Sequence, residues 1–208
     1  MTDHIRPHIG RPTGSAQRTK QARAVRTREL IISASAQHFD SYGYGDATVN
    51  AILAAGNLTK GAIYHHFSSK EEIARQLTAD WTRTVAELIT DTAERHPTAT
   101  EHLTALFAAL ARSVAEDTNL RAGMKLTLEP TVDNANAFAR WVDAISDIVD
   151  TAITTGDIPD TPAAHRLAWN LCAGTVGAAH ASVSLREDID LATRIGDTVA
   201  AHIAAVSA

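Results

Sequence analysis

Apolar residues return every three or four positions along most of this chain, and the strict alternation of a half-buried strand is absent. Val25, Ile32, Ala36 and Phe39 trace one such stripe and predict a first helix over Arg18–Tyr42, stopped by Gly43. Ile73, Leu77, Trp81, Val85, Leu88 and Ile89 predict a long helix over Lys70–Arg95, ended by His96-Pro97. Further stripes predict helices over Thr100–Glu116, Leu120–Leu128, Asn134–Thr155, Pro162–Leu185 and Ile189–Val206. Pro130, Gly156 and Pro159 punctuate them. The expected fold class is all-α.

Between the first stripe and the long helix lies Thr48–Lys70, TVNAILAAGNLTKGAIYHHFSSK. Thr48 is placed to cap a short helix carrying Val49, Ile52 and Leu53, and Thr59 to cap a second through Ala62, Ile63 and Tyr64. Gly56-Asn57 between them tolerates the left-handed backbone of a sharp turn. Ser68-x-x-Glu71 or Ser69-x-x-Glu72 then opens the long helix as a capping box. This is the signature of a helix-turn-helix, whose second helix enters a DNA major groove. Lys60, Gly61, Tyr64, His65 and His66 crowd that second helix, and a core needs none of them. A first-turn lysine opposes the helix dipole, and an anionic partner would offset that cost. An αα-hairpin with a polar surface is the plainer alternative.

The run TKGAIYHHFSSKEEI resembles the DNA-binding motif of TetR-type transcriptional repressors, over about Arg28 to Leu77. One departure is Asn57, where that family usually has glycine. The resemblance implies a three-helix DNA-binding head over 18–72 and a helical ligand-binding and dimerisation region over 73–208. Residues 1–17 form an expected mobile basic arm, with Arg6 and Arg11 either solvated or touching DNA. Tyr64, Lys70 and Thr48 match positions that hold phosphates. Lys60 and Gly61 lie where base edges are reached, and Thr59 and His65 are further DNA-binding candidates.

Charge sharpens the division. The 208 residues carry a net −5, yet residues 1–70 hold nine Lys/Arg against four Asp/Glu, and residues 71–208 hold ten against twenty. The basic segment coincides with the helix-turn-helix, as a nucleic-acid footprint should. The acidic remainder repels DNA. The single cysteine, Cys172, allows no intrachain disulfide and fits a reducing cytoplasm. No signal-peptide core opens the chain, and Leu167–Leu185 is too polar to span a membrane. No nucleophile–base pair, Gly-rich phosphate loop or metal-ligand spacing stands out, so neither an enzyme nor a cofactor is expected.

A bare DNA-binding unit needs about 60 residues, and a long region follows it here. The TetR resemblance implies a small-molecule pocket there and a homodimer through the eighth and ninth helices, both rich in small residues. Leu120-Arg121-Ala122-Gly123 followed by Phe138-x-x-Trp141 is further similar to the γ-butyrolactone autoregulator receptors of actinomycetes, a branch that includes furan and butenolide receptors. By that resemblance Trp141 lines the signal pocket. Phe107, Leu110, Trp169 and Thr175 are secondary candidates on helices expected to face it. Without it, Trp141 reads as core. The expected activity is ligand-released repression at a palindromic double-stranded operator. The alternatives are a small α-helical enzyme or sequestering protein with a non-functional helix-turn-helix, and a nonspecific DNA-packaging protein.

Overall fold

The computed structural model describes residues 14–184 and 190–207. These form helices α1 Gly14–Asp46, α2 Val49–Ala55, α3 Lys60–His66, α4 Lys70–Ala93, α5 Ala99–Glu116, α6 Thr118–Leu126, α7 Ala137–Thr155, α8 Leu167–Ser184 and α9 Leu191–Ser207. The all-α expectation holds. The first helix begins earlier than the stripe suggested, so Gly14–Gln17, expected in the arm, are helical. Val25 is 52% exposed, outside the core stripe assigned to it. Gly43, at φ 80° and ψ 163°, breaks α1, and one further turn follows it. A 3-10 turn at Ala164–Arg166 replaces the start expected for the eighth helix. Arg6, Arg11, Leu185 and Ile189 lie outside the described residues.

Two apolar clusters organise the packing. One gathers Ile31, Phe39, Ile52, Ile63, Phe67, Ile73 and Leu77 from α1–α4, and the other runs from Trp81 through α5, α7, α8 and α9. Helix α4 changes cluster between Leu77 and Trp81, one helical turn apart. Helix α6 serves both: Ala122 and Leu126 face the first cluster, and Leu120 and Met124 face the second. Hence every residue from Ala122 to Leu126 is buried.

The α6 seat explains the glycine of the Leu120–Gly123 motif. A Cβ on Gly123 would lie 2.3 Å from the Leu77 carbonyl oxygen and 3.1 Å from the Trp81 Cβ. Only glycine lets α6 rest on the α4 backbone at that crossing. Burying α6 also buries Lys125, whose Nζ lies 2.7 Å from Asp40 Oδ1 on α1. Arg121 reaches the other oxygen, Oδ2, at 3.0 Å, and its Nη1 donates to the Val114 and Ala115 carbonyls at the end of α5. One α1 carboxylate thus neutralises two α6 cations. Such a cluster adds little net stability over an apolar one, but removing one member leaves buried charge unpaired.

Asn134 then closes the C-terminal end of α6, its side-chain amide donating to Leu126 and Thr127 carbonyls at 3.1 and 2.9 Å. Ala135 and Asn136 both take positive φ, 51° and 57°, and turn the chain into α7. This fixes where α7 starts, three residues later than the stripe predicted, and so where Trp141 points along it.

Gly123→Ala should cost about 1–3 kcal/mol through overpacking against the α4 backbone. Thermal denaturation checks this, and a variant melting with the parent would show that α6 has room the contact denies it.

Candidate DNA-binding and ligand-binding sites

The head is set by caps. Thr48 Oγ1 accepts from Ala51 N at 3.1 Å and Thr59 Oγ1 from Ala62 N at 3.2 Å, opening α2 and α3. Each hydroxyl keeps its own proton for another acceptor. The turn between them divides its labour differently from the sequence reading. Asn57 takes the left-handed conformation at φ 48°, whereas Gly56 is ordinary at φ −84°. Gly56 is there for room: a Cβ would lie 2.7 Å from Leu58 Cδ1 and 3.1 Å from Ala34 Cβ. Ser69 caps α4 by accepting from Glu72 N at 3.2 Å. Glu72 returns to Ser68, not Ser69, taking its N–H at 2.6 Å and its hydroxyl at 2.7 Å. Those bonds hold the Glu72 carboxyl below its ordinary pKa.

Thr48, Thr59, Lys60, Gly61, Tyr64 and His65 are all exposed around α3. Tyr64 is 50% exposed, and the Lys60 ammonium lies 6.0 Å from the centre of its ring. A Cβ on Gly61 would meet no atom of the chain. The fold does not require glycine there, and its absent side chain leaves the helix backbone open to close approach. His65 and His66 stack edge to face at 5.0 Å. Desolvation, then His65 and Arg28, push the His66 pKa down, which favours its neutral form.

Lys70, matched by the resemblance to a phosphate-holding position, also makes contacts within the chain. Its Nζ turns inward, donating to the Tyr44 carbonyl at 2.6 Å and the Ala47 carbonyl at 3.0 Å, with the Tyr44 ring 4.0 Å away. Desolvation lowers its pKa, against the opposing pull of Glu129 and Asp46. An ammonium in the first turn of α4 opposes the helix dipole, and the two carbonyls offset that cost. Lys70 therefore ties the end of α1 and the entry to α2 onto α4. Arg28 does similar work, donating to Gln76 Oε1 at 2.9 Å with its guanidinium carbon 4.8 Å from the Phe67 ring centre.

A second site lies between α4 and α7. Trp81 and Trp141 meet edge to face at 5.0 Å, with Phe138 6.0 Å from Trp141. Beside them is a cavity of about 100 Å³, lined by both indoles, Val85, Ile89, Ala137 and Ala144, with Thr82, Ala86 and Arg140 completing its wall. The Trp81 and Trp141 indole nitrogens are both buried without an acceptor. An unpaired buried donor costs about 1–3 kcal/mol.

Trp141 is the one ligand candidate of the sequence reading that lines this cavity. Phe107 stacks on Trp141 at 6.3 Å but stays in the core with Leu110, both fully buried. Thr175 is buried and spends its hydroxyl on the Leu171 carbonyl at 2.8 Å, within α8. Trp169 faces outward, 59% exposed. The sequence reading missed Trp81, because its place on the α4 stripe reads as plain core. It also missed Arg140, which follows Ala137 by one turn on the same face of α7. Among the described residues no group of three or more His, Cys, Asp or Glu could hold a metal ion. No described helix is long and apolar enough to cross a membrane.

Comparison with known proteins agrees with this geometry. Residues 31–77 match the family of bacterial regulatory proteins, tetR family. The crystallised TetR-family protein CprB of Streptomyces coelicolor is 31% identical, covering 74% of this chain and 78% of that one, with a TM-score of 0.66. The chain belongs to the TetR family. A crystallised γ-butyrolactone receptor described as ArpA-like shares 28% identity, 89% of this chain and 98% of its own, at a TM-score of 0.67. The A-factor receptor protein of Streptomyces griseus is 32% identical over 140 residues, 67% of this chain. The match spans about half, 49%, of that relative's length. Within the family, this chain therefore resembles the γ-butyrolactone receptor branch.

The inward lysine separates Lys70 from Lys60. Lys70→Ala should lower stability by about 1–3 kcal/mol, because two carbonyls lose a charged donor, whereas Lys60→Ala should leave the melting midpoint where it is. Thermal denaturation of both decides, and equal midpoints would return Lys70 to the surface role.

Proposed function

We propose that this TetR-family protein is a homodimeric repressor whose operator binding is released by a small signalling molecule of γ-butyrolactone, furan or butenolide type. The observation that carries the proposal is the course of α4. It starts four residues after α3, anchored by Lys70 to the Tyr44 and Ala47 carbonyls, and 11 residues later it supplies Trp81 to the cavity.

The DNA face is α3. Lys60, Gly61 and Tyr64 offer a cation, an open backbone and a phenol to a major groove, with Thr48 and Thr59 hydroxyls at the adjacent backbone. The second copy docks on α8 and α9. Trp169, Gly177 and Ala181 on α8 and Gly196, Ala200 and Ala204 on α9 are exposed, at helical spacing and nearly all small. Helix α8 is apolar on its inner face too, through Leu171, Cys172, Val176 and Ala179. A helix apolar all round is one that expects burial on both sides. Two-fold pairing presents two α3 helices, so the operator is an inverted repeat.

The cavity explains release. At about 100 Å³ it is smaller than the roughly 300–1,000 Å³ typical of sites for small organic ligands. An effector with a ring and an alkyl chain therefore enters only by parting α4 from α7. Its oxygen atoms supply the acceptors that the two indole N–H groups lack. Ligand and operator then favour different α4 positions, and that differential affinity is the coupling. The charge of the second region fits this division of labour, since an acidic surface turns DNA away from the ligand end.

Two variants test the reading on an operator selected from random DNA with the parent protein. Lys60→Ala should cost about 1–3 kcal/mol of specific binding and relax base preference. Trp141→Ala should keep operator binding while losing release by an extract that releases the parent. A folded Trp141→Ala dimer released at the parent's extract concentration would remove Trp141 from the mechanism.

A further inference from the structure

The cavity between α4 and α7 does not end at the indoles. It continues into a wider groove of about 500 Å³, lined by Arg75, Thr78, Thr82 and Arg83 of α4, Asp133–Ala135 before α7, and Arg140 of α7. Thr82, Ala86 and Arg140 line both spaces, so the groove is the mouth of the cavity. Three arginines and Asp133 line the groove.

The three arginines are not equally engaged. Arg83 is paired with Asp80 at 2.7 Å and lies 3.9 Å from Glu87. Arg75 and Arg140 make no ion pair among the described residues. Arg140 donates to the Ala135 carbonyl, its own neighbour across the start of α7, and the rest of its fork is available. Both indoles line the cavity that this mouth opens onto. The site thus presents an apolar, indole-lined floor and a guanidinium at the rim.

We infer that the effector of this protein is an acid: a small amphiphile whose apolar body fills the Trp81–Trp141 cavity and whose carboxylate is held at the mouth by Arg140. The inference rests on the ligand-released reading above and narrows it to signals that bear an anionic group. A carboxylate takes two parallel N–H bonds from a guanidinium, a geometry that a neutral lactone carbonyl cannot match. Ala135 must yield Arg140 when the acid arrives, so recognition also touches the turn that sets the start of α7.

The test uses two probes of one shape, 4-butylbenzoate and its neutral isostere 4-butylbenzamide, read by tryptophan fluorescence and calorimetry on the full chain. The acid should bind at least tenfold more tightly than the amide. Arg140→Gln should abolish that preference while leaving amide binding in place, and raising salt should weaken the acid alone. Because Arg140 is exposed, Arg140→Gln is expected to fold, which its thermal melt checks. Arg75→Gln serves as a second variant, expected to reduce the preference less. Amide binding equal to or tighter than acid binding overturns the inference and leaves the cavity reading standing. A preference for the acid that survives Arg140→Gln places the anion elsewhere and also overturns it. If neither probe binds, the cavity reading fails, and the inference fails with it.

Discussion

The close crossing of α6 over α4 is the constraint on which the rest depends. Gly123 lets the two backbones approach at Leu77–Trp81, the point where α4 passes from one apolar cluster to the other. With α6 seated there, Lys125 and Arg121 fall on either oxygen of Asp40. The same seat brings Arg121 to the last carbonyls of α5 and Asn134 to the last carbonyls of α6. A single small residue thereby sets the relation of α1, α4, α5 and α6. A buried ionic cluster adds little stability over an apolar one, but its members must stay paired. Here it fixes α1, and with it the helix-turn-helix, at one angle to the body.

That arrangement makes α4 a lever with a fulcrum. Below the Gly123 crossing, Lys70 fastens α4 to the carbonyls of Tyr44 and Ala47, next to Thr48, the cap of α2. Above it, Trp81, Val85 and Ile89 form one wall of the cavity. Packed interiors shift between discrete arrangements and do not deform smoothly. On the proposed mechanism, filling a space of about 100 Å³ with a larger molecule displaces α4, and its end nearest DNA moves with it.

Local chemistry made the head legible in the sequence. Threonine caps, a Gly-Asn turn and a serine before α4 each act within a few residues, so spacing alone exposed them. The stripes of α5 and α7 were legible for the same reason, as was the family resemblance over the helix-turn-helix. What depended on distant partners was not. Lys70 reads as a surface cation until its acceptors, 23 and 26 residues away, are in view. Trp81, Trp141 and Trp169 sit on similar apolar stretches, yet two face one cavity and the third faces outward. Gly123 looked like part of a motif, and only the α4 carbonyl above it gives the physical reason. Arg140 was passed over because an arginine on an amphipathic helix is usually a solvated one.

The central claim is that parting α4 from α7 is enough to release DNA, whatever does the parting. A side chain can stand in for the effector. Ala144 lines the cavity from α7, away from every residue of the α3 face, and Ala144→Phe would fill it permanently. Fluorescence anisotropy on the selected operator, with no ligand present, gives the direct answer. The account predicts at least tenfold weaker operator binding by a folded Ala144→Phe dimer. Parental affinity in that variant, with 4-butylbenzoate no longer able to quench its tryptophans, would show that the cavity can be filled without moving the DNA-binding face.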